Sequence, residues 1–192
     1  MGSEGLMIED RDGVRLLTIA VPPSNSLTPT LRAALIAAVE SPPPDVARIV
    51  LAAGGTTFSS GLPLDPDPEA PGLSRLCGAV AGAPVPVIAA LHGLVLGPGA
   101  ELALAARARV AAPGTRIAFP EVALGLCCEG GTTRRLACRI GTAQALQLLL
   151  SGRAVDADEA QALGLIDMVA ADPVAFARSM VVPDPGPRSQ EH

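Results

Sequence analysis

Glu101 stands in VLGPGAEL, residues 95–102, a run otherwise made of apolar residues, glycine and proline. A carboxylate in the first turn of a helix is favoured by the free N–H groups and the helix dipole there, which by itself accounts for a lone glutamate. Its neighbours Val95, Leu102 and Leu104 are apolar, however. A carboxylate held dry among such side chains can serve as a general acid or base. Twenty residues on, AFPEVALG places Glu121 between two further apolar runs. Alone, Glu121 reads as a loop or capping residue. Two carboxylates at strand exits, each in an apolar frame, form a pair able to divide acid and base roles around one water.

A third stretch, TFSSGLPL, follows a β-rich run, and Gly61 lets the backbone turn sharply there. Its N–H groups and those at residues 97–99 are candidates to converge on one oxygen and stabilise an enolate or oxyanion. Pro98 sits among those donors and has no N–H. The four cysteines, Cys77, Cys127, Cys128 and Cys138, make no C-x-x-C pair and have no histidine at ligand spacing. They read as buried, reduced thiols, and no metal is expected.

These residues need elements to carry them. Asp12-Gly13 between two apolar runs predicts a hairpin. Thr28 then Pro29 predicts a helix to about Glu40, with apolar positions Leu31, Leu35 and Val39 at helical spacing. Short β-rich runs are expected at 47–54, at 85–93 and on both sides of Pro113-Gly114. Helices are expected at 73–81, from Pro98, at 142–151 before Gly152, and after Asp156. A strand at 166–170 and one or two helical turns at 172–180 follow. Residues 56–72 and 120–136 read as loops, and residues 183–192 as a disordered tail after a single domain of residues 1–182. Strands alternating with helices give an α/β class. No dinucleotide or P-loop fingerprint is present.

Composition narrows the function classes. The chain has 192 residues, 49% hydrophobic, with no Trp or Tyr and only three Phe. Base stacking is therefore unavailable, and a net charge of -5 gives no attraction to phosphates, so nucleic acid is not an expected partner. The longest apolar stretch, 85–104, is interrupted by Pro86, His92, Pro98, Glu101 and three glycines. No membrane span or signal peptide is expected, and the chain reads as cytoplasmic.

The motifs, in order, resemble the crotonase superfamily of enoyl-CoA hydratases and isomerases. PPSNSL resembles P-x-x-N-(A/S)-L, and FSSGLP resembles F-x-A-G-A-D. HGLVLGPGAELALA resembles (N/H)-G-x-x-x-G-G-G-x-E-L-A-L-A, FPEVALG resembles F-x-x-P-E-x-x-L-G, and LSGRAVDADEAQALGLID resembles the closing T-G-x-x-(I/L)-x-A-x-E-A-x-x-x-G-L-V-D. The likeness runs over about residues 8–170. It implies a ββα spiral core with surrounding helices. It also implies hydration or dehydration of an enoyl or 3-hydroxyacyl thioester, with Glu101 and Glu121 as the catalytic pair. The same scaffold serves enoyl thioester isomerases and non-catalytic partner subunits, which are the alternatives. CoA or phosphopantetheine would enter as part of the substrate, with no separate cofactor.

The resemblance also maps two oxyanion donors, the N–H groups of Leu62 and of position 98, where Pro98 stands and Gly99 is the available substitute. Glu129 replaces the glycine of a Pro-Gly turn and adds a third carboxylate near the expected pocket, and the Asp of A-G-A-D is absent at Pro63. Relatives form trimers or hexamers and continue with a C-terminal helical segment. A homo-oligomer, or pairing with a paralogous subunit, is the expected assembly.

Overall fold

The computed structural model describes residues 5–61 and 71–181. Leu62 and the 183–192 tail lie outside the described residues. A hairpin of β1 (Leu6–Arg11) and β2 (Val14–Ile19) opens the chain, closed by Asp12 and Gly13 at φ 52° and 73°. Positive φ at both turn residues matches the right-handed strand twist, as Asp-Gly predicts. Helix α1 (Pro29–Glu40) follows, with Thr28 Oγ1 accepting from the Leu31 N–H at 3.3 Å and Pro29 in the first turn.

A repeating unit then sets the architecture. Strands β3 (Arg48–Ala53) and β4 (Thr57–Ser59) precede α2 (Leu73–Gly82). Strands β5 (Val87–Leu91) and β6 (Leu94–Leu96) precede α3 (Pro98–Ala105). Strands β7 (Ala108–Ala111) and β8 (Arg116–Ala118) precede a 3-10 turn, Pro120–Leu124, and α4 (Thr132–Ile140). In each unit the first strand joins a six-stranded sheet and the second a four-stranded one. This is the ββα spiral. The chain ends with α5 (Thr142–Ser151), β9 (Val155–Asp156), α6 (Ala157–Ala162), β10 (Met168–Val169) and α7 (Pro173–Ser179). The large sheet runs β1-β2-β3-β5-β7-β10, parallel from β2 onward, and the small one β4-β6-β8-β9.

Both faces of the large sheet are covered, which explains its nearly unbroken apolar strands. Ile49, Leu51, Ala89 and Leu91 point into the main core with α1 and α2. Val50, Ala52, Ile88 and Ala90 face a second core under Ala177 of α7. Among the described residues, no helix is long and apolar enough to cross a membrane.

The structure differs from the expectations in several places. Residues 132–136, expected as the end of a loop, instead open α4. Its buried residues are only Thr132, Leu136 and Ile140, one per turn, among three arginines, so the apolar stripe is too thin to read. Strands β4, β6 and β9 have two or three residues each, too few for a periodic signal. The cysteines are unpaired as expected, but Cys127 and Cys138 are exposed and Cys128 is half-buried; only Cys77 is buried.

Candidate active site

Glu101 is held by three elements. Gly97, at φ 50° and ψ -122°, turns the chain out of β6, and Pro98 takes the first helical position of α3. The Glu101 N–H donates to the Gly97 carbonyl at 2.9 Å, so the helix starts cleanly on the proline. The far end of α3 lacks a glycine cap. The buried Arg109 guanidinium serves instead, donating to the Ala106 carbonyl at 2.7 Å and the Leu165 carbonyl at 2.9 Å. Burial lowers its pKa to about 10, which leaves it charged at neutral pH, and Asp167 pairs with it at 3.2 Å.

The Glu101 side chain is 1% exposed. Its Oε2 accepts from the Gly130 N–H at 2.7 Å and the Thr132 hydroxyl at 2.5 Å. The two donors flank the cap of α4: Gly130 precedes the cap residue Gly131, and Thr132 is the first residue of the helix. Arg135 secures that turn by donating to the Gly130 carbonyl. Gly130 is required there, since a Cβ would stand 2.7 Å from Cys77 Sγ and 3.2 Å from Glu101 Oε2.

Glu121 lies in the 3-10 turn and is 8% exposed. Neither of its carboxylate oxygens has a hydrogen-bond partner among the described residues. Burial holds its carboxyl above the ordinary value, and the charge of Glu101 pushes the same way. A Cβ at residue 97 would stand 2.9 Å from Glu121 Oε1, so the glycine makes room for the carboxylate. The Cys128 thiol sits beside Glu121. Burial, with both carboxylates adding, raises the thiol's pKa. One ligand atom each of Glu101, Glu121 and Cys128 lies within 4.8 Å of the other two. The structure thus brings together the two glutamates named from sequence and adds a thiol.

Glu129 is exposed, and its carboxylate is not part of this cluster; its backbone carbonyl accepts from Ser74 Oγ at 3.0 Å. An open cleft of about 400 Å³ at Gly5, Val21 and Thr30 shares no residue with the cluster and, among the described residues, is lined by no titratable side chain.

The turn that ends at Gly61 is fixed by residues not singled out from sequence. Asn25, at φ 53°, donates through Nδ2 to the Gly54 carbonyl at 2.8 Å and the Thr57 carbonyl at 2.6 Å. Ser59 Oγ donates to the Asn25 carbonyl at 2.8 Å and accepts from the Gly61 N–H at 3.2 Å. The Gly61 carbonyl accepts from the Leu27 N–H at 2.8 Å. In the sequence, Asn25 is marked only by its place in the PPSNSL motif. Gly61 faces Pro98: a Cβ on Gly61 would stand 2.9 Å from Pro98 Cδ. That Cδ is bonded to the backbone nitrogen where other residues carry the amide hydrogen. The ring therefore occupies the direction along which an N–H at position 98 would point.

Residues 9–181 match the family described as enoyl-CoA hydratase/isomerase. The chain belongs to that family. It is 36% identical over 165 residues to the peroxisomal bifunctional enzyme of Danio rerio, covering 81% of this chain and 22% of that protein. The chain thus spans about a fifth of the length of that multifunctional relative. Against the probable enoyl-CoA hydratase EchA17 of Mycobacterium tuberculosis it is 37% identical over 177 residues, covering 84% of this chain and 67% of the other. A solved putative enoyl-CoA hydratase from Thermobifida fusca in complex with CoA superposes with a TM-score of 0.80 at 27% identity. It covers 91% of this chain and 74% of that one. The ββα spiral of this hydratase/isomerase-family chain agrees with that likeness.

Proposed function

We propose that this family member adds water to, or removes it from, the double bond of an enoyl or 3-hydroxyacyl thioester. The observation that carries the reading is the pair of buried carboxylates, with both oxygens of Glu121 lacking a partner among the described residues. A water held between them would satisfy those oxygens. Glu101, with Oε2 anchored by two donors, keeps its other oxygen free to accept a proton from that water. Glu121, held above the ordinary carboxylate range, supplies the proton to the α-carbon. Retention of both carboxylates supports hydration over isomerisation, which needs only one. The CoA complex of the Thermobifida fusca relative supports a CoA thioester as the substrate form.

The thioester oxygen would rest on the Leu62 N–H, with Gly99 offering the first free amide of α3. Pro98 supplies none. Losing one oxyanion donor costs about 3 kcal/mol, about a hundredfold in rate, so the reading is of a slow hydratase. Hydration of short enoyl-CoA esters tests it, with Glu101→Gln and Glu121→Gln as controls. Turnover in the natural chain and its loss in each variant is expected. No turnover above the two variants refutes the reading.

A further inference from the structure

We infer that Glu101, Glu121 and Cys128 form a site for one borderline-soft divalent cation of the zinc class, whose binding blocks the water position. Two carboxylate oxygens and a thiol sulfur, all within 4.8 Å of one another, are a donor set that suits such an ion. Hard cations prefer all-oxygen shells, so the sulfur selects against magnesium and calcium. In a tetrahedral zinc site the ligand atoms stand about 3.5 Å apart, so closure needs the ligand atoms to move by about 1 Å.

A second observation points to a ligand. Glu121 is more than nine-tenths buried, faces this cluster, and has no partner for either oxygen among the described residues. The outer shell is also built. Glu101 Oε2 is already fixed by Gly130 and Thr132, leaving Oε1 without a hydrogen bond among the described residues and free to ligate. Cys128 is only half-buried, so the cluster is not sealed on its side. Three protein ligands leave a fourth position open, the pattern of an accessible rather than a closed structural site. The cation site itself stands apart from the hydration reading; only the blocking of the water position rests on that reading.

Cobalt(II) replaces zinc as a coloured probe in a titration of the whole, metal-free chain. The expected result is saturation at one equivalent, with a near-ultraviolet sulfur-to-cobalt charge-transfer band. Cys128→Ser should abolish that band, while Cys127→Ser and Cys138→Ser leave it intact. Glu121→Gln, close in size to the natural residue, should weaken binding by at least about tenfold. Circular dichroism of each variant checks the fold. No saturable binding, a band surviving in Cys128→Ser, or a band lost with Cys127 or Cys138 overturns the inference. Zinc should also inhibit enoyl-CoA hydration. Turnover without cobalt binding sinks this inference alone; cobalt binding without turnover in the metal-free chain sinks only the hydration reading.

Discussion

Pro98→Ala gives back the amide that the natural chain lacks. Position 98 is the first residue of α3, so alanine fits its helical backbone, and the helix already starts with Glu101 bonded to Gly97. The new N–H would take the direction now filled by Pro98 Cδ, toward Gly61. Residue 62, the other donor of the proposal, follows directly in the chain. One donor aimed at a developing oxyanion is worth about 3 kcal/mol, so kcat/KM should rise about a hundredfold. The opposing cost is small: a freer unfolded chain should lower stability by about 0.4–1 kcal/mol. Steady-state hydration of a short enoyl-CoA ester, with urea unfolding of both proteins, reads both effects. Pro98→Gly serves as a companion, since it restores the same N–H without a side chain. Gains in both variants support the donor account. A gain with glycine alone would make room, not hydrogen bonding, the cause. Unchanged rates in both would refute the oxyanion reasoning.

Three further outcomes follow from the structure. Gly99→Ala places a Cβ 2.6 Å from the Ser59 carbonyl oxygen, so α3 must retreat from β4. A loss of about 1–3 kcal/mol in urea unfolding is expected, whereas Gly78→Ala, on an exposed helix position with nothing within 4 Å, should gain about 0.5–1 kcal/mol. Glu121, raised above its ordinary 4.5 when folded, binds its proton more tightly in the native state. Its contribution to stability is therefore full below pH 4.5 and is lost as pH rises through the folded value. Glu121→Gln should flatten that decline in unfolding free energy measured against pH, and an unchanged slope would contradict the assignment.

Local chemistry in the chain determined a good part of this protein. Asp12-Gly13 closes the hairpin because both positions accept positive φ, and Thr28 and Asp156 cap their helices through their own side-chain oxygens at 3.3 Å and 2.9 Å. Each of these depends on residues within four of one another, so sequence carries the information. The glutamate pair was legible for a related reason: each carboxylate stands in its own apolar run, and the order of motifs resembled one family. Tertiary structure alone decided the rest. Helix α4 was hidden because one apolar residue per turn becomes stable only when packed, yet its first turn is what anchors Glu101. Cys128 joins the carboxylates, and Glu129 does not, through the path of a glycine-rich turn that no spacing rule encodes. Pro98 was readable as a missing donor, but only folding aimed its ring at Gly61. Contacts between residues 29 to 37 positions apart, such as Glu101 to Gly130 and Gly61 to Pro98, arise from the stacking of successive ββα turns. That stacking is a property of the whole core and of no single segment.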